Sequence, residues 1–272
     1  MKFSERFRVT AGAKVTLSKW DPDDTAGFED KKAVKKKMKK NLERLSELQY
    51  LLYAENKRSV LVVLQALDAG GKDGTIRHVM GPLNPQSCKV VSFKTPTTEE
   101  LSHDFLWRIH QVAPRTGEIR IFNRSHYEDV LIVRVHDMAP RAVWSRRYEQ
   151  INAFEKILAQ NNTHILKFYL HISKDEQLGR FKARLEDPTK HWKASLADFE
   201  ERKYWNDYVK AYEAALSKCS TAKAPWFIVP ANKKWFRNFA VSEILVEYLS
   251  KLRMKFPEPI EGISEIDPDQ LT

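Results

Sequence analysis

Residues 59–75 read Ser59-Val60-Leu61-Val62-Val63-Leu64-Gln65-Ala66-Leu67-Asp68-Ala69-Gly70-Gly71-Lys72-Asp73-Gly74-Thr75, and a helical pattern with Ile76 and Val79 follows. The apolar run from Val60 to Leu64 has no polar alternation, as expected for a strand whose two faces are both covered. The turn after it carries two glycines and leads into a helix N-terminus, where several backbone N–H groups point at one spot. Gly70 and Gly71 allow a ligand to approach closely, and Lys72 supplies a positive charge. Strand, glycine turn and helix together predict an anion site, and phosphate is the natural anion.

The match to the Walker pattern G-x-x-x-x-G-K-[ST] is incomplete: Ala66 stands at the first glycine, and Asp73 at the hydroxyl residue that normally reaches Mg²⁺. A site without that hydroxyl must hold a metal another way, and the loop offers Asp68 and Asp73. Beside phosphates an uncompensated carboxylate repels the ligand, so Asp68 reads as a metal ligand rather than a general base. Asp73 has a second reading, as a carboxylate that complements the helix N-terminus.

Outward from this stretch, further short apolar runs lie at 88–93, 118–123, 164–172 and 225–229, separated by segments long enough for crossover helices. They predict an α/β fold with a central parallel sheet in a three-layer α/β/α domain over residues 30–255. Val34, Met38, Leu42, Leu45, Leu48 and Leu52 recur at steps of three or four and predict a helix from Asp30. Its first turns carry Lys31, Lys32, Lys35, Lys36, Lys37, Lys39 and Lys40, where the helix dipole disfavours cations. Either this is a solvated basic face or it attracts a long anion. Residues 174–217 are charged, carry Trp192, Trp205 and Tyr208, and are expected to form a helical lid. Residues 1–29 read as an irregular N-terminal extension, and the Pro- and acid-rich 256–272 as a poorly ordered tail.

The whole chain, 272 residues with 42% hydrophobic and 30% charged, is ordinary for a globular domain and rules out disorder throughout. No apolar run reaches the roughly 18–20 residues of a membrane span, and the first ten residues lack the apolar core of a secretory signal. Cys88 and Cys219 are too few and too far apart for a disulfide framework or a standard zinc site. A soluble protein of the reducing cytoplasm is expected. The net charge of +10 admits a polyanionic partner without naming it.

The third apolar run ends in Ile121-Phe122-Asn123-Arg124-Ser125-His126-Tyr127-Glu128-Asp129-Val130. Carboxyl ends of parallel strands line the ligand crevice, so this polar run is expected to face the glycine turn. It occupies the position of a Walker B element, although Asn123 stands where an acid is usual and the first carboxylates come at Glu128 and Asp129. Arg124 can bind a phosphoryl oxygen bidentately. His126 and Asp129 have plainer readings, as a packed or solvent-facing histidine and a surface carboxylate.

The pairing of Ala66-Leu67-Asp68-Ala69-Gly70-Gly71-Lys72-Asp73-Gly74 with Phe122-Asn123-Arg124-Ser125-His126-Tyr127-Glu128-Asp129-Val130 resembles the polyphosphate kinase 2 family. Pro230-Ala231-Asn232-Lys233-Lys234-Trp235 agrees with it, and the likeness covers about residues 17–252. The resemblance implies a P-loop kinase-like fold similar to thymidylate kinase. It also implies reversible, Mg²⁺-dependent transfer of a phosphoryl group from inorganic polyphosphate to a nucleotide. Glu128, where other members carry Asn, is similar to the class that accepts both AMP and ADP.

By the same resemblance Asp68, Lys72, Asp73 and the neighbouring Gly74 and Thr75 are phosphate-loop residues. Asn123, Arg124 and Glu128 belong to the Walker B region, with Glu128 helping Asp68 to hold Mg²⁺. Arg180 and Arg184 fall where the family has basic lid residues that grip phosphates, and Lys193, Lys233 and Arg237 are further binding candidates, each equally readable as a solvated basic side chain. The implied partners are polyphosphate, AMP, ADP and ATP, with guanine nucleotides as further candidates, and a second or further copies of the chain in a dimer or tetramer. Neither nucleic acid nor membrane is implied. Two rivals stand beside this reading. An ATP-dependent nucleoside monophosphate kinase would share the loop and lid but predicts Ser or Thr at Asp73. A non-catalytic nucleic-acid binder would use the lysine helix but leaves the paired clusters unexplained.

Overall fold

The apolar runs form one sheet in a computed structural model, which describes residues 2–193 and 195–263. Its strands are β1 (Ser59–Gln65), β2 (Cys88–Ser92), β3 (Ile119–Asn123), β4 (Thr163–His171) and β5 (Trp226–Pro230), each within one residue of its predicted ends. All neighbours are parallel, in the order β2-β3-β1-β4-β5. β1 is central and buried along its whole length. Val60, Val62 and Leu64 point into one core layer, and Leu61 and Val63 into the other, which is why its sequence does not alternate.

On the first face lie the helices Lys31–Glu55 and Lys234–Ser250. Asp30 caps the former, its carboxylate accepting from the amides of Lys32 at 2.7 Å and Ala33 at 2.9 Å, and Asn56 ends it in a left-handed conformation. On the second face lie Arg141–Gln160 and Trp205–Cys219. The three-layer arrangement is therefore the expected one, and the order of strands reverses direction at β1, which opens a crevice at its carboxyl end.

Two expectations need adjustment. Residues 2–29 are mostly irregular but do not project from the domain. A short helix, Phe3–Arg6, buries Phe3, and Phe3 and Phe7 pack edge-on against Phe239 and Phe236 respectively. The following residues cover the outer edge of β5: Val9 N–H donates to the Trp226 carbonyl and Ile228 N–H to that of Phe7, both at 2.9 Å. A bare edge strand would invite pairing with another chain, and apolar Phe3, Phe7 and Val9 hold this cover in place. The helical excursion, secondly, is not all lid. Its last helix, Trp205–Cys219, buries Ala211, Tyr212, Ala215, Leu216 and Cys219 in the second core layer, so only the part up to Tyr204 stands away from the sheet. Of the C-terminal segment, Phe256 packs against Tyr50, and 264–272 lie outside the described residues.

Candidate active site

The turn after β1 is built from two left-handed residues, Ala69 at φ 58° and Gly71 at φ 103°, before the helix starts at Lys72. Gly71 is required for two reasons. Its φ is unfavourable for any side chain, and a Cβ there would lie 1.7 Å from an Arg237 guanidinium nitrogen. The helix is regular only over Lys72–Thr75 and continues as a π-turn over Ile76–Met80. Thr75 is buried with its hydroxyl 3.5 Å from Asn238 Oδ1, so it faces the interior rather than the loop's mouth.

A cavity of about 720 Å³ opens over this turn. Among the described residues its wall carries eight cationic side chains against four carboxylates. The sequence candidates Asp68, Gly70, Gly71, Lys72, Asp73 and Gly74 line it from the loop. Asn123 and Arg124 line it from the end of β3, Arg184 and Lys193 from the lid, and Arg237 from the helix after β5. Lys233 does not: it extends toward Asp23 at 3.7 Å, and its neighbour Lys234 takes the wall position. One residue decides this, because side chains on adjacent residues at a helix start point in different directions.

Lys72 Nζ donates to the Ala66 carbonyl at 3.0 Å. Burial lowers its pKa, against the opposing pull of Asp68. Arg237 is buried, packs on the glycines, and bonds Asn238 Oδ1 at 2.9 and 3.1 Å. Burial, reinforced by the like charge of Arg180, lowers it to about 9. Neither cation has an ion-pair partner within reach among the described residues. Two desolvated cations flanking a glycine turn, without an acid to pair with, leave a place for an anion.

Arg180 also lines this cavity, with most of its donors engaged by the protein itself. It donates to the carbonyls of Ala69 at 2.8 Å, Ala231 at 2.5 Å and Asn232 at 3.0 Å, and pairs with Glu176 at 2.8 Å. Together with Gln177, whose side chain donates to the Asp68 carbonyl at 2.9 Å, it ties the lid's first helix, Lys174–Leu185, to the loop. The fork of donors that could grip a phosphate is occupied by main chain.

Arg124 adopts a left-handed conformation, with its N–H donating to the Leu64 carbonyl at 3.1 Å, and its guanidinium lies 3.5 Å from Asp68. Burial works against its charge, but Glu128 and Asp68 outweigh that and raise its pKa. Asp73 accepts from Asn123 Nδ2 at 2.9 Å, which joins the helix start to the end of β3. Glu128 stands on the other side of Arg124, in a second cavity of about 220 Å³. Asp68 and Arg124 line both cavities. The smaller one differs from the larger: Leu131, Ile132, Trp205, Tyr208 and Tyr212 give it an apolar and aromatic side, while Asp68, Glu128, Asp198 and Glu201 outnumber Arg124 and Arg202 among its charged groups.

Two features were not read from the sequence. Gln65, the last residue of β1, is fully buried and its Nε2 donates to Glu128 Oε1 at 3.0 Å and Ser125 Oγ at 3.1 Å. A polar residue ending an apolar strand was the available signal. Asp198, from the lid, faces both cavities beside Arg184 at 3.5 Å; burial and then the charge of Asp68 raise its pKa. No local pattern marks it. His126 and Asp129 follow their plainer readings in part: His126 is wholly buried, and Asp129 is paired with Arg147 at 2.9 Å.

Residues 28–257 match the family model for polyphosphate kinase 2. An AMP/ADP-polyphosphate phosphotransferase of Meiothermus ruber is 53% identical over 256 residues, covering 94% of this chain and 96% of that protein. An ADP-polyphosphate phosphotransferase of Rhodopseudomonas palustris is 47% identical over 267 residues, covering 94% and 92%. The crystal structure of polyphosphate kinase 2 from Arthrobacter aurescens TC1 superposes with a TM-score of 0.93 at 44% identity, over 97% of this chain and 95% of the other.

Proposed function

Because the chain belongs to the polyphosphate kinase 2 family, we propose that it transfers a phosphoryl group from inorganic polyphosphate to AMP and ADP across the wall shared by its two cavities. The carrying observation is that Asp68 and Arg124 line both. A polyanionic donor suits the larger, cationic cavity, and the nucleoside of the acceptor suits the smaller, aromatic one. The reacting phosphates then meet at Arg124. The two relatives named above, both polyphosphate phosphotransferases, do not favour the ATP-dependent nucleoside monophosphate kinase reading.

The chemistry needs alignment and charge neutralisation more than covalent help. The acceptor oxygen belongs to a phosphate whose second pKa is about 6, so it is largely ionised at neutral pH and requires no strong base. Accordingly, no histidine lines either cavity among the described residues. Lys72 and Arg237 hold the donor's oxygens over the glycine turn, and Arg124 can bond donor and acceptor phosphates at once. Arg184 and Lys193 close over the donor from the lid, whose base Arg180 and Gln177 keep fixed.

Asp68 and Glu128 are hard oxygen donors on one cavity, which fits Mg²⁺. No three acidic, His or Cys side chains gather into a self-sufficient metal cage among the described residues. Two carboxylates completed by phosphates and water are the usual way this ion is held. When bound, the ion neutralises charge on the phosphoryl oxygens. Gln65 orients Glu128, so Gln65→Leu is expected to lower kcat about 10-fold, as loss of a hydrogen bond to a charged group costs ~1.5–3 kcal/mol. The Mg²⁺ concentration giving half the maximal rate should rise with it, beyond any fall in the unfolding midpoint from leaving Glu128 and Ser125 without this donor. An unchanged metal requirement would refute this positioning role.

The direct test incubates purified protein with Mg²⁺ and ADP or AMP, with and without polyphosphate, and separates the nucleotides by chromatography. Polyphosphate-dependent ATP from ADP, and ADP followed by ATP from AMP, are expected. No product from polyphosphate, with phosphoryl exchange between ATP and AMP, would overturn the reading. No helix among the described residues is long and apolar enough to cross a membrane.

A further inference from the structure

The seven lysines of Lys31–Lys40 are used by nothing described above; none of them lines the donor cavity, but their helix packs beside one that does. Their helix leads into β1, so it runs antiparallel to the strands and its N-terminus lies at the carboxyl edge of the sheet, where the cavity opens. It packs alongside Lys234–Ser250. Asn41 Nδ2 donates to Ser242 Oγ at 2.9 Å and Glu243 Oε1 at 2.8 Å, while further down Arg58 donates to the Leu252 carbonyl at 3.0 Å. The two helices therefore run in the same direction. Lys37, 3.2 Å from Glu243 and over the Phe239 ring, is next to the second turn of that neighbour. Stepping back one turn from Lys37 leads toward the first turn of Lys234–Ser250, whose Lys234 and Arg237 line the cavity. A second anchor agrees: Asp23 accepts from Asn232 Nδ2 at 2.7 Å, and Phe28 packs on Phe239 at 5.3 Å, so the chain entering the lysine helix runs beside the start of the neighbouring helix.

All seven lysines are exposed. Lys37 pairs with Glu243 and Lys39 with Glu43, but Lys31, Lys32, Lys35, Lys36 and Lys40 form no ion pair among the described residues. The first turn of the helix contains no acid. Lys31 with Lys35, and Lys32 with Lys36, are like charges one helical turn apart, which destabilises a helix. No ion pair among the described residues offsets that repulsion at these four lysines, whereas a polyanion lying along it would.

We infer that this lysine face is a second contact surface for inorganic polyphosphate, which holds the part of the chain outside the donor cavity and so favours long donors over short ones. The inference rests on the polyphosphate reading above. A linear chain with about one charge per phosphate fits a row of cations, whereas a mononucleotide has too few charges to reach from the cavity to this helix. The bonds here are between exposed charges, so their contribution falls as salt rises.

The test replaces Lys31, Lys32, Lys35 and Lys36 by Gln together and measures ADP phosphorylation with long-chain polyphosphate and with the shortest oligophosphate the enzyme accepts. The half-saturating concentration of the long donor is expected to rise about 10-fold and its salt dependence to flatten, because fewer cations meet the polyanion. kcat and the constants for the short donor should stay unchanged. Equal constants for the long donor, or an equal shift for both donors, would overturn the inference. Binding of end-labelled long-chain polyphosphate, followed by anisotropy, reads the surface without turnover: the same 10-fold loss is expected, and unaltered binding refutes it. A variant with Arg at all four positions should retain wild-type behaviour, which separates charge from fold. If the wild type makes no ATP from either donor, the functional reading fails, and the binding measurement still decides the surface.

Discussion

Asp68→Asn and Lys72→Ala are each expected to lower kcat by about 10²–10³-fold, the usual loss when one preorganised charge is removed from a transition state. Lys72 is half-buried, its ammonium is fixed by the Ala66 carbonyl, and among the described residues no carboxylate neutralises it as an ion pair, so its charge is available to the donor's phosphates. Asp68 stands at the wall between the cavities, 3.5 Å from Arg124. Asparagine keeps its shape but not its charge, so both the orientation of Arg124 and the affinity for a cation are weakened. Stability should change little in either variant, since neither side chain belongs to a core layer. Steady-state kinetics with polyphosphate and ADP, beside thermal unfolding by circular dichroism, make the comparison. Full activity in both variants would dismiss the site.

Glu155→Ala should instead damage the fold, by about 3–5 kcal/mol, the cost of stranding the other half of a buried ion pair. For a chain of this size that lowers the unfolding midpoint by on the order of 10 °C. Glu155 and Lys167 are 2.5 Å apart and wholly buried between the helix Arg141–Gln160 and β4. Tyr127 donates to Glu155 at 2.8 Å, and Lys167 donates to Tyr127 at 2.9 Å and to the Cys219 carbonyl at 2.7 Å. His126 completes the group, its Nε2 3.2 Å from Glu155. The network pins the turn His126–Val130, and with it Glu128, to the rest of the domain. The double variant Glu155→Leu/Lys167→Met removes both charges and should recover most of the loss. A single variant as stable as the wild type would contradict the network's role.

The same network sets a pH dependence. Burial alone would push the Glu155 carboxyl up, but Lys167 and His126 outweigh it and hold it below the ordinary carboxylate range. Burial also holds His126 below the usual imidazole range, against the pull of Glu155. Both groups are depressed in the folded chain, so both contribute stability above their unfolded pKa values and lose it as pH falls. The decline should begin near the unfolded histidine value of about 6.5 and steepen near the carboxylate range.

Much of the architecture was legible because its signals are local. The consecutive apolar residues of β1, the helical recurrence from Val34 to Leu52 and the glycine turn between Gln65 and Lys72 depend only on near neighbours in the chain. Each is a direct consequence of burial or of a backbone dihedral. The loop and the end of β3 were also expected to meet, since parallel strands align their carboxyl ends. Asn123 bonded to Asp73, and Arg124 beside Asp68, are that expectation realised.

Direction and competition were not legible. Lys233 and Lys234 are equivalent as residues, and only the helix start decides which faces the cavity. Arg180 has the chemistry to grip a phosphate, but three carbonyls and Glu176 occupy it first. The N-terminal segment reads as an irregular extension because its apolar residues are too few and too irregular for a periodic signal; the edge of β5 is what gives them something to cover.

The sequence by itself thus determined the parallel sheet, the anion-binding turn and the residue types available to the chemistry, because propensity, burial and turn geometry act over a few consecutive residues. Only the tertiary structure decided that the residues form a cationic cavity and a smaller, partly aromatic one with Asp68 and Arg124 between them, and that the lysine helix packs beside Lys234–Ser250. Those facts depend on which distant segments pack together, and so on the order of strands around β1 and the register of the helices laid against them.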